Sequence, residues 1–121
     1  MKGDATLVLG ASPKLERYSN LAVRRLVQHG HPVIAVGRHA GSIGGVTIRP
    51  DVPPGAAIDT VTVYLNEDNQ REWEDRILAL APRRIIFNPG AENARLTLRA
   101  RDHGIEVLDA CTLVMLSTGE Y

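Results

Sequence analysis

The sequence predicts an α/β fold of three layers on a mainly parallel sheet of five or six strands, and three observations carry that prediction. Short β-branched runs alternate with longer amphipathic stretches, the pattern of parallel strands joined by crossover helices. The first run, Thr6 to Leu9, is apolar throughout, as a strand covered on both faces must be. The amphipathic stretches stop at Gly30, Pro82 and Gly104, residues that end helices. Right-handed crossovers then put helices on both faces of the sheet, with a strand order of the 3-2-1-4-5 kind.

Each element follows in order. After Thr6 to Leu9, the residues Leu21, Ala22, Leu26 and Val27 form an apolar stripe beside Arg24 and Arg25, and Gly30 with Pro32 blocks its continuation. Val33 to Val36 is the second strand, and the glycine-rich "GRHAGSIGG" that follows reads as a loop. Val46 to Arg49 is a short extended piece before the proline-bearing connection "PDVPPGAAID". "TVTVYL", Thr60 to Leu65, is the next strand. The polar residues Asn66 to Asn69 then suit the start of a helix carrying Trp73, Ile77, Leu78 and Leu80. "RRIIFNPG" repeats the strand-to-turn logic, "AENARLTLRARDHG" is a helix, and "IEVLDACTLVML" supplies the last strand and an apolar tail.

Composition narrows the function. With 121 residues and 44% hydrophobic content, the chain suits one domain over residues 1–121, with a single core. Fourteen basic side chains balance 14 acidic ones, so no global field favours nucleic acid, and charge recognition must be local. No apolar run is long enough for a membrane span and no leader pattern precedes the first strand, so a soluble, cytoplasmic protein is expected. One cysteine, Cys111, excludes an internal disulfide and a paired-cysteine zinc site.

In an open parallel sheet, ligands collect beyond the carboxyl ends of the strands, where the strand order reverses. Four segments follow strands here: Gly10 to Lys14, Gly37 to His39, Asn66, and Asn88 to Gly90. None clusters carboxylates with histidine in the manner of a metal or acid–base site, so they describe a binding face first. The turn at Gly10 opens into a helix and is expected to offer backbone N–H groups to a phosphate. It lacks the three glycines of the dinucleotide fingerprint, since Gly10 is followed by Ala11, Ser12 and Pro13. After the second strand, Gly37-Arg38-His39 stands where an NAD site wants an acidic residue, and a cation there suits a ribose phosphate.

Taken together, "GASPKLERYSNLA", the strand-two end, "NPGAEN" and "GIEVLDAC" resemble the small single-domain CoA-binding proteins, which are similar in turn to the N-terminal CoA-binding domain of the succinyl-CoA synthetase alpha subunit. The resemblance covers about residues 5 to 112 through several motifs in order. It implies a Rossmann-like fold with coenzyme A, or an acyl-CoA, stretched across the strand ends. It further implies that Gly10, Ala11 and Ser12 cradle the phosphates, with Lys14 in that loop and Ser19 at the start of the first helix. Arg38 or His39 would take the nucleotide end, while Tyr64 to Asn66 and Asn88, Pro89 and Gly90 would line the pantetheine path. Many family members have proline after the second strand where this chain has Gly37-Arg38. The synthetase's phosphorylated histidine lies in a separate domain outside the resemblance, so its catalysis does not carry over.

The remaining singular residues read as structural. Cys111 fits a small buried hydrophobe at a strand end. His29 and His31 flank a helix terminus whose last carbonyls a histidine bonds. Trp73 shares a helix face with Ile77 and Leu80, the spacing of core or interface packing, and Glu92 and Asn93 suit either a ligand or a helix N-terminus. A noncatalytic or accessory CoA-binding module is therefore expected; an NADP-type oxidoreductase or a subunit of a larger enzyme is the alternative. The expected partner is the small molecule, without nucleic acid or membrane, and homodimer formation is left open.

Overall fold

The structure, a computed structural model, describes residues 3–121. Its strands are β1 (Ala5–Leu9), β2 (Val33–Val36), β3 (Gly41–Ile43), β4 (Val46–Arg49), β5 (Ile58–Val63), β6 (Arg84–Phe87) and β7 (Glu106–Asp109). The helices are α1 (Tyr18–Gln28), α2 (Glu67–Gln70), α3 (Glu74–Leu80), α4 (Ala94–Asp102) and α5 (Thr112–Thr118), with a 3₁₀ turn over Arg71–Trp73 between α2 and α3.

The sheet order is β3-β4-β2-β1-β5-β6-β7, and every neighbouring pair is parallel except β3 with β4. Without β3 this is the doubly wound order expected from the sequence, here with seven strands among the described residues where five or six were expected. The extra strand lies in "GRHAGSIGG", expected to be loop throughout. Gly44 and Gly45 have φ of 55° and 85°, the positive values that a tight two-residue hairpin turn requires. That turn lets Ile43 pair with Val46 and sends Ile43 and Ile48 into the core.

Strand alternation splits the core in two. Leu7 and Leu9 join Val61, Val63, Ile77, Ile85, Phe87 and Leu96 on one face, under α3 and α4. Val8 joins Val23, Leu26, Ala35 and Leu116 on the other, under α1 and α5. Each fully buried leucine or isoleucine contributes about 1.5–3 kcal/mol, so the two apolar layers hold the sheet between the helices.

Helix ends behave as the glycines foretell. After α1, His31 N–H donates to Leu26 O and Gly30 N–H to Val27 O, each at 3.0 Å, with Gly30 at φ 80°. After α4, Ile105 N–H donates to Ala100 O and Gly104 N–H to Arg101 O at the same distance, so both helices close in a Schellman motif. His29 Nδ1, 2.8 Å from Arg25 O, adds the expected histidine bond. Two elements depart from expectation. The apolar tail is the helix α5, which Cys111 precedes in a half-buried position. The strand expected over Thr60 to Leu65 ends at Val63, which frees Tyr64 and Leu65 to enter the cleft described next. Among the described residues no helix is long and apolar enough to cross a membrane.

Candidate functional site

Because α1 and α3 leave β1 and β5 toward opposite faces, a crevice opens between the carboxyl ends of these two strands. It is a cleft of about 520 Å³, within the range of small-molecule sites. Ten of the sequence-predicted residues meet in it: Gly10, Ala11, Ser12, Lys14, Ser19, Gly37, Arg38, His39, Tyr64 and Pro89. Asn66, Asn88 and Gly90 do not.

Those three are occupied elsewhere. Asn66 caps α2, its side chain accepting from Asn69 N–H at 2.9 Å. Asn88 is 2% exposed and spends its amide on the scaffold: Nδ2 donates to Thr62 Oγ1 (2.7 Å) and Val63 O (3.0 Å), while Oδ1 accepts from Thr112 N–H (2.9 Å). It thereby caps α5 from the turn that follows β6. Gly90 N–H donates to Glu92 Oε1 at 2.9 Å.

The turn at Gly10 works differently from the sequence expectation. Gly10 and Ala11 N–H both donate to Val36 O at 2.9 Å, so neither is free for a phosphate. Their task is to bind the ends of β1 and β2 together. Gly10 is required by its φ of 97° and by the backbone of Tyr64, 3.1 Å from where a Cβ would stand. A valine there would disturb the fold before it disturbed a ligand. Gly37 is required by crowding: its Cβ would sit 2.0 Å from Ala11 O.

The free donors and cationic side chains of the cleft lie further along the same connection. Asn20 Nδ2 donates to Ser12 O (2.9 Å), Arg17 N–H to Lys14 O (3.1 Å) and Arg24 Nη2 to Leu15 O (3.2 Å), which anchors the loop by its carbonyls. The α1 ladder begins with Asn20 and Leu21 donating to Arg17 O, so Tyr18 and Ser19 N–H precede the first intrahelical bond. No side chain caps α1, and its first turn carries no acidic residue. Arg17, Tyr18 and Ser19 line the cleft at this point. Lys14, Arg17 and Arg38 form no ion pair among the described residues, so the open helix end shares the cleft with cations that have no carboxylate partner.

Opposite, the wall comes from Asn69, Glu72 and Trp73, with Pro50 at the β4 end. Arg38 Nη2 donates to Asn69 Oδ1 at 2.9 Å across the mouth. Sequence reasoning missed Arg17, Tyr18, Pro50, Asn69 and Glu72, and gave Trp73 to packing alone. The i, i+3, i+4 spacing of Asn69, Glu72 and Trp73 was the available signal. Burial, with the Cys111 thiol adding to it, pushes the Tyr64 phenol further above its ordinary value. Its hydroxyl has no hydrogen-bond partner among the described residues.

Behind that wall is a closed polar core. Gln70 Nε2 donates to Leu65 O (2.8 Å) and Ala91 O (2.7 Å), and Asn93 Nδ2 donates to Gln70 Oε1 (2.9 Å). The Glu74 side chain, 2% exposed, takes ion pairs from Arg95 (2.9 Å) and Arg99 (3.2 Å). Burial pushes the Glu74 carboxyl up, but hydrogen bonds from Arg95, Asn93 and Arg99 outweigh it and hold the group below the ordinary carboxylate range.

Residues 4–117 match the sequence profile of a family described as CoA binding domain. A solved crystal structure of an uncharacterized protein is 46% identical, each chain covered in full, with a TM-score of 0.93. A hypothetical protein from Pyrococcus horikoshii OT3 is 21% identical over 97% of this chain and 83% of its own, with a TM-score of 0.82. The dinucleotide-forming acetyl-coenzyme A synthetase 1 of Ca. Korarchaeum cryptofilum, in complex with phosphate and ADP, is also 21% identical. That match covers 90% of this chain and 26% of the synthetase, at a TM-score of 0.70. No curated protein matches.

Proposed function

The chain belongs to the CoA binding domain family, and from that premise we propose that residues 1–121 act as one binding unit that holds coenzyme A or an acyl-CoA across the strand ends, as an accessory module and not a catalyst. The observation that carries this reading is the open N-terminus of α1, uncapped and flanked by Lys14 and Arg17 in the cleft. Free N–H groups at a positive dipole end, with unpaired cations beside them, suit a diphosphate. Arg38, with His39 beside it, is the cation for the ribose phosphate, and Tyr64 and Pro89 border the path left for the pantetheine arm. Apart from Glu72 and Asn69 in the opposite wall, the charged and polar groups assembled here are mainly donors and cations, which recognise a ligand's charge.

Thermal unfolding with coenzyme A, acetyl-CoA, NADP and NAD tests the reading. Coenzyme A and its acyl form should raise the midpoint, since ligand at a hundredfold its dissociation constant stabilises by about 2.7 kcal/mol. Stabilisation by NADP without stabilisation by coenzyme A would replace the proposal with the nucleotide-dependent oxidoreductase alternative.

A further inference from the structure

The corner of the cleft beside Arg38 holds more than a cation. Arg49 pairs with Val36 and accepts from Gly37 N–H at 3.0 Å, so Pro50 emerges next to the end of β2. Trp73 borders the cleft one turn beyond Asn69, the residue that Arg38 grips. One face of the Trp73 ring is covered by the Arg76 guanidinium, 4.2 Å from the centroid. Arg76 is in turn ion-paired with Asp51, the residue after Pro50. The chain Pro50–Asp51, Arg76, Trp73 therefore closes one corner from two elements, the loop after β4 and the start of α3.

An indole serving the core alone would be covered by apolar side chains. Trp73 does touch the core, but it also carries a guanidinium over one ring face and lines the cleft. Aromatic faces take planar bases by stacking, with no base-specific hydrogen bond required.

We propose that Trp73 and Pro50 form a slot for the purine base of the coenzyme, with Arg76, held by Asp51, as the positioning residue that fixes the indole at the cleft wall. The proposal rests on the coenzyme A reading and assigns its nucleotide end: base against Trp73, ribose phosphate at Arg38, diphosphate at the start of α1. Pro50 supplies a rigid apolar edge whose position follows from β4.

Trp73 is the sole tryptophan of the sequence, so its emission reports on this corner directly. The test titrates the full chain with adenosine 3′,5′-bisphosphate, which carries the base and no pantetheine, and with 4′-phosphopantetheine, which carries no base. Calorimetry and tryptophan emission are read in parallel. The bisphosphate should change the emission saturably, with the dissociation constant found by calorimetry, and phosphopantetheine should leave it unmoved. Trp73→Ala should weaken the bisphosphate about tenfold or more, and Trp73→Phe, which keeps a ring and protects the fold, by only about threefold. Arg76→Met should shift the emission of the free protein and weaken the bisphosphate several-fold, with partial recovery in Arg76→Lys. The proposal is overturned if the bisphosphate binds without changing the emission, if Trp73→Phe and Trp73→Ala both bind it as the wild type does, or if it does not bind at all. Coenzyme A titrated against the wild type separates the two failures: if it binds while any of these holds, the base slot falls and the coenzyme reading stands.

Discussion

Helices α1 and α4 both begin just after a parallel strand and both keep arginines near their first turns, yet their N-termini are in opposite chemical states. At α4 the Asn93 side chain caps Leu96 N–H at 3.0 Å and also reaches Gln70 and Glu74, while Arg95 and Arg99 are paired with Glu74. At α1 nothing caps the helix, and Lys14 and Arg17 face the cleft without carboxylate partners among the described residues. The closed end holds the molecule together. The open end has donors and charge left over, and on that surplus the proposed ligand site rests.

The comparison can be broken at the closed end first. Asn93→Ala removes a cap and strips a partner from buried Gln70 and Glu74, so stability should fall by about 3 kcal/mol, read by denaturant unfolding. Coenzyme A affinity, extrapolated to the folded fraction, should stay within about twofold. A large affinity loss with stability intact would reverse the roles assigned to the two ends.

Acid acts on the same end. The folded carboxyl of Glu74 titrates below its ordinary value of 4.5, so its contribution is fully present above that pH and disappears as pH falls through the lower folded value. Glu74→Gln should cost about 2 kcal/mol at pH 7, discounted because both arginines are partly exposed, and the difference from wild type should shrink below pH about 4. A difference that grows in acid would contradict the pairing.

At the open end the effects should appear in affinity. Arg38→Glu should weaken coenzyme A by more than about tenfold, roughly 1.4 kcal/mol, and dephospho-CoA much less. Equal losses would place Arg38 away from the ribose phosphate and leave His39 as the candidate. Ser12→Ala should cost the least, on the order of 1 kcal/mol of binding, because Ser12 Oγ already accepts from Lys14 N–H at 3.2 Å and offers one neutral hydrogen bond.

Much of the scaffold was legible because local chemistry decided it. Gly30 and Gly104 end their helices as only residues free to take positive φ do, and the strand-end rule brought eight candidate residues to one cleft, to which the family resemblance added Ser19 and Tyr64. What escaped depended on distant partners or ambiguous spacing. Gly10 reads as a phosphate turn until Val36 O is known to accept its N–H. Asn88 reads as a ligand contact until Thr62 and Thr112 take its amide. Trp73 has a spacing that fits core and cleft alike, and it serves both. The hairpin at Gly44-Gly45 was hidden by strands too short to show alternation, although two glycines between Ile43 and Val46 are a strong turn signal.

The most direct measurement converts the open end into a closed one. Arg17 occupies the N-cap position of α1 with extended backbone, φ −77° and ψ 139°, so an aspartate there can cap the helix as Asn93 caps α4. Calorimetric titration of coenzyme A into wild type and Arg17→Asp, with thermal unfolding of both, reads binding and stability together. Arg17→Asp should gain about 1 kcal/mol of stability and lose coenzyme A binding by more than about tenfold, the loss shrinking as salt rises. A capped, more stable Arg17→Asp protein that binds coenzyme A as tightly as wild type would contradict the proposed site.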